Sequence, residues 1–81
     1  MDIRNITQVA AFTTKDGSEI RELLAHRNSG IRKQSLAEAR LSPGASTTPH
    51  HHPLTEEIYY ILEGAGRMRI GDETRPVGPG D

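Results

Sequence analysis

Two histidines one residue apart and a glutamate five residues further on, His50, His52 and Glu57, are the side chains of this 81-residue chain best suited by type and spacing to do chemistry. Glycines bracket them, so that Gly44, His50, His52, Glu57 and Gly64 form the pattern G-x5-H-x-H-x4-E-x6-G. In an extended strand successive side chains alternate faces, which sends His50 and His52 to one side and His51 to the other. A break at Pro53-Leu54-Thr55 lets the chain return, and Glu57 can then enter from an adjoining strand whose same face carries Tyr59 and Ile61. Two imidazoles and one carboxylate presented this way occupy one face of an octahedral ion and leave positions for water or substrate. The donor set suits a divalent transition metal, Mn, Fe, Ni, Co or Zn, better than Mg or Ca, which prefer all-oxygen shells.

The elements that must position these groups read as follows. Thr7 to Thr14 is expected as a strand carrying Val9 and Phe12, and Lys15-Asp16-Gly17 is a turn signal. Over Asp16 to Leu24 the local reading is a short helix, because Asp16 and Glu19 mimic a capping box and Ile20, Leu23 and Leu24 have helical spacing. His26 to Gly30 reads as a loop. Gln34 to Leu41 contains good helix formers but is short and stopped by Ser42-Pro43-Gly44. Alternation there favours a strand with Ala37, Ala39 and Leu41 on one face and Leu36, Glu38 and Arg40 on the other. Ile58 to Glu63, β-branched and aromatic and bounded by Gly64-Ala65-Gly66, predicts a strand. Arg67 to Ile70 alternates charge with apolar groups, Gly71-Asp72-Glu73 turns the chain, and Thr74 to Val77 completes a hairpin.

Composition limits what such a scaffold can be. Apolar residues make up 33% of the chain, and there is no Cys and no Trp. A single core in so short a chain supplies only about 3–5 kcal/mol unless something staples it. The staple is not a disulfide, which leaves a metal or a second subunit. Ten basic against eleven acidic residues give a net charge of −1, without the basic stripe and interleaved aromatics of a nucleic-acid surface. No nucleic-acid partner is expected. The opening Met1-Asp2-Ile3-Arg4-Asn5 has no basic region followed by an apolar one, and the longest apolar run, Ile58 to Leu62, is far too short to span a bilayer. The expectation is a cytoplasmic protein with no export signal and no membrane partner.

The five patterned positions resemble the first motif of the cupin superfamily, down to Pro53 after the second histidine and the run from Glu57 through Ile58, Tyr59, Tyr60, Ile61, Leu62 and Glu63 to Gly64. The resemblance implies an all-β fold, a small jelly-roll barrel with a metal inside it. By that resemblance His50, His52 and Glu57 are metal ligands, Gly44 is the turn before the strand and Gly64 belongs to the hairpin after it. Glu57 competes with Glu56 for this role, and only Glu57 keeps six residues before Gly64 and shares a face with Tyr59 and Ile61. Gly80-Asp81 looks like the first two residues of the second cupin motif, whose histidine would be the fourth ligand. Residues 1–33 are expected as a strand and loop arm and residues 34–81 as the cupin core, with the first motif at 44–64. The barrel is then incomplete, a half barrel: either part of a longer cupin, or one completed as a homodimer, since an unpaired edge follows Val77.

Each of these residues also has a plainer reading. His51 is expected at the rim and His26 on the surface. Tyr59 is a candidate catalytic or substrate-contacting residue if it shares the ligand face, and otherwise a core aromatic. Arg67 and Arg69 can hold an anion, but charges alternating outward along a strand more often form a solvated face. Two function classes follow. One is a metal-dependent enzyme of oxygenase, isomerase or decarboxylase type, acting on a small oxygenated molecule. The other is a non-catalytic module holding a structural metal or small ligand, and the fold does not choose between them.

Overall fold

Alternation of charged with apolar residues, followed by a two-residue turn, is enough to make the simplest element of the molecule. In the computed structural model, which describes residues 1–81, Gly66–Ile70 and Glu73–Val77 form an antiparallel hairpin in which Ile70 faces Glu73 and Gly66 faces Val77. Gly71 and Asp72 make the turn. Met68 and Val77 are half-buried, while Arg67, Arg69 and Ile70 face solvent.

The other strands lie in a separate antiparallel sheet. In chain order the strands are β1 (Phe12–Thr13), β2 (Glu19–Leu24), β3 (Leu36–Arg40), β4 (Gly66–Ile70) and β5 (Glu73–Val77). The first sheet has the order β1-β2-β3 and the second is β4-β5. β2 pairs with β3 from Glu19 opposite Arg40 to Leu24 opposite Leu36, with a register shift between Glu22 and Leu24. The chain is therefore all-β, built of antiparallel strands. It has no helix long and apolar enough to cross a membrane.

Three local expectations fail here. The helix expected over Asp16 to Leu24 is instead the strand β2. Asp16 does not cap a helix: its Oδ1 accepts hydrogen bonds from the Thr14 hydroxyl and, at 3.0 Å, from the Ser18 N–H, closing the β1–β2 turn. Five of its six half-buried residues then pair with β3, and tertiary pairing overrides the weak helical spacing. The strand expected over Thr7 to Thr14 shrinks to Phe12–Thr13. Ahead of it Ile6–Gln8 is a 3₁₀ turn that begins at Asn5, whose side chain accepts from the Thr7 N–H. The run Ile58 to Glu63 is not a strand, because its backbone finds too few partners: the Ile61 N–H donates to the Asp81 carbonyl at 2.9 Å and the Ile61 carbonyl accepts from the Gly80 N–H at 2.8 Å.

β3 forms where expected, but its half-buried residue is Glu38 rather than an alanine. Arg21 sits directly opposite Glu38 in the register, and the two side chains approach to 3.7 Å. The core is thin, as the composition requires. Only Ala25 and Ser18 of the 81 residues are buried, and Ile58, Tyr60, Leu62 and Ile70 are left exposed.

Candidate metal centre

Between β3 and β4 the chain runs from Leu41 to Ala65 without a strand, and the three candidate ligands and Tyr59 lie on this stretch. Glycines mark both of its bends. Gly44 and Gly64 each have φ of 82°, left-handed backbone that a side chain would strain, and this accounts for glycine at the two ends of the pattern. Pro49 and Pro53 stiffen the histidine segment and bias Thr48 and His52, which precede them, toward extended backbone.

On this scaffold His50, His52 and Glu57 converge. Their ligand atoms all lie within 4.8 Å of one another, and all three residues are exposed. The His50 and His52 rings meet edge to face with centroids 5.3 Å apart. His52 Nε2 lies 3.3 Å from Glu57 Oε2. Bonds of about 2.1 Å from one ion put neighbouring ligand atoms about 3 Å apart and opposite ones about 4 Å apart. The His52–Glu57 distance suits a shared ion. Nitrogen and carboxylate donors together fit a transition ion. The cluster includes neither His51 nor Glu56. His26 is exposed, in the turn after β2 and apart from the cluster.

Beside the cluster is an open groove of about 190 Å³. Glu57 and Tyr59 form one wall, and Ile61, Met68, Ile70 and Val77 supply its apolar lining, with Asp81 also at its surface. Tyr59 thus shares a cavity with a member of the ligand cluster. Partial burial, and then the adjacent Glu57 charge, push its phenol above the usual tyrosine value.

One site feature had no signal in the sequence. The Thr48 N–H donates to Asp16 Oδ2 at 3.2 Å across 32 residues, and the Thr48 carbonyl is 2.9 Å from His50 Nδ1. Asp16 reads locally only as a turn or cap residue, and nothing in its spacing announces a distant partner.

Comparison with known proteins places the chain in a family. The family model described as "Cupin domain" matches residues 37–81, more than half of the chain. An uncharacterized protein of Methanocaldococcus jannaschii is 51% identical over 76 residues, covering 91% of this chain and 59% of the relative. The tetracenomycin polyketide synthase protein TcmJ of Streptomyces glaucescens is 34% identical over 75% of this chain and 42% of its own length. The polyketide synthase CurC of Streptomyces cyaneus is 32% identical over 78% of this chain and 41% of its own length. The chain spans less than two thirds of each of these relatives. No solved structure is significantly similar to it. With the matched segment containing the histidine pair, the glutamate and both strands of the second sheet, the chain belongs to the cupin family.

Proposed function

We propose that the chain binds a divalent transition metal through His50, His52 and Glu57 and presents it to a small, oxygen-bearing, largely apolar molecule seated in the adjoining groove. The observation that carries this reading is adjacency: Glu57 belongs both to the ligand cluster and to the wall of the groove. The three donors of this chain are exposed, and the other positions of an ion they held are open to exchangeable ligands or to the fourth histidine that the cupin pattern implies. When bound, the ion supplies Lewis acidity toward a carbonyl or enolate oxygen. The residues of the chain do the rest: Ile61, Met68 and Val77 take the apolar part of the molecule, and the Tyr59 hydroxyl orients an oxygen near Glu57. Two of the Streptomyces relatives have "polyketide synthase" in their names, and a polyketide is a carbon chain rich in carbonyl groups, the same class of molecule. The chemistry this supports is that of an enolised carbonyl, as in isomerases and decarboxylases. The working unit in this reading is a homodimer, supported by a core of two buried residues and by the apolar side chains left exposed at Ile58, Tyr60 and Leu62.

The test uses a planar β-diketone as probe. Zinc-loaded protein should produce a saturable change in the enolate absorption of the diketone, lost when zinc is removed. Stoichiometric zinc without any diketone binding would replace this reading with that of a structural metal.

A further inference from the structure

The exposed stretch that carries the histidines is fastened to the first sheet by a single hydrogen bond, the one from Thr48 to Asp16. The two carboxylate oxygens of Asp16 divide the work. Oδ1 accepts from the Thr14 hydroxyl and the Ser18 N–H within the β1–β2 turn, and Oδ2 accepts from the Thr48 N–H. Hydrogen bonds from Thr14 and then Ser18 hold the Asp16 carboxyl far below the usual carboxylate range, so it is a charged, acceptor-only group.

What Asp16 fixes at Thr48 is passed on to His50. Pro49 restricts the backbone of Thr48, so a bond that orients its N–H also orients its carbonyl. That carbonyl lies 2.9 Å from His50 Nδ1. A carbonyl oxygen only accepts, so this hydrogen bond calls for the proton on Nδ1 and leaves Nε2 as the ring nitrogen open to a metal. Ligating histidines are commonly held in this way, by a hydrogen bond to the nitrogen that does not bind the metal.

We propose that Asp16 is a positioning residue for the metal centre, acting through Thr48 to hold His50 in the Nδ1–H tautomer with Nε2 free to ligate. The proposal rests on the metal-binding reading above for its purpose, though not for its geometry. It ties the β1–β2 turn, far from the ligands in sequence, to the affinity of the site.

Asp16→Asn separates the two halves of the residue. Its Oδ1 can still serve Thr14 and Ser18, but its amide nitrogen is a donor and cannot accept from the Thr48 N–H. Thr48→Pro removes the same bond from the other side and leaves the turn untouched. Wild type and both variants are compared by zinc titration and by nitrogen NMR of the His50 ring in the zinc-free protein. Both variants should show a mixed His50 tautomer, and zinc affinity should fall roughly tenfold, the scale found when an outer hydrogen-bond partner of a ligand is lost. Lower thermal stability with an unchanged tautomer and unchanged zinc affinity would overturn the proposal. Wild-type protein that takes up no zinc would overturn the metal reading instead. The tautomer of His50 in the zinc-free proteins would still decide the role of Asp16. Should Asp16→Asn fail to fold, Thr48→Pro carries the same comparison.

Discussion

His52 Nε2 and Glu57 Oε2 stand 3.3 Å apart on a stretch that belongs to no strand. Both side chains are nearly half exposed, 47% and 44%. Even a full ion pair this open contributes at most about 1 kcal/mol to stability. The contact therefore adds little to the fold. The His50 ring packs against that of His52, and Glu57 also lines the apolar groove.

Tyr59→Phe tests whether the groove and the ligand cluster act as one site. The ring keeps its place in the wall and only the hydroxyl is removed. Metal stoichiometry should be unchanged while diketone affinity falls about fivefold, the worth of one net hydrogen bond of about 1 kcal/mol. Equal affinity in the two proteins would leave Tyr59 as part of the lining and nothing more.

Acid sensitivity should carry the mark of Asp16. Its carboxyl is held well below the ordinary value of 3.8, so between the folded and unfolded values the native state binds fewer protons and stability rises with pH. The contribution of Asp16 is full above about pH 4 and declines steadily as the pH falls below it. Denaturant midpoints of wild type and Asp16→Asn should accordingly differ at pH 7 and converge toward pH 2. A constant difference across that range would contradict this.

Charge reversal at Glu38 probes the first sheet. Glu38 faces Arg21 across β2 and β3, and the two side chains are only 20% and 22% exposed. Glu38→Lys places like charges directly opposite and should lower stability by roughly 1 kcal/mol, more in low salt than in high. A urea midpoint that does not move, or that moves equally at both salt concentrations, would show that this pair does not stabilise the sheet.

Much of this was legible from local pattern. The β4–β5 hairpin follows from strict alternation at Arg67 to Ile70 with a turn at Gly71. His50, His52 and Glu57 do come together, but on a stretch without strands, so the strand alternation that pointed to them is not what gathers them. Where the reading failed, the deciding partner was remote. Leucines at helical spacing in Ile20 to Leu24 say helix until β3 arrives to pair with them. Strand composition at Ile58 to Glu63 says strand, yet a strand needs a ladder, and the backbone of this run is paired only at Ile61. Asp16 looked like a helix cap because Asx turns and N-caps use the same side-chain geometry, and only the distant Thr48 distinguishes its role.

The most direct measurement of the central claim is metal content after equilibrium dialysis against Mn, Co, Ni or Zn, for wild type, His52→Ala and His51→Ala. The account predicts one ion per chain in wild type and in His51→Ala, and none in His52→Ala. Equal loss in both variants, or full retention in both, would contradict it.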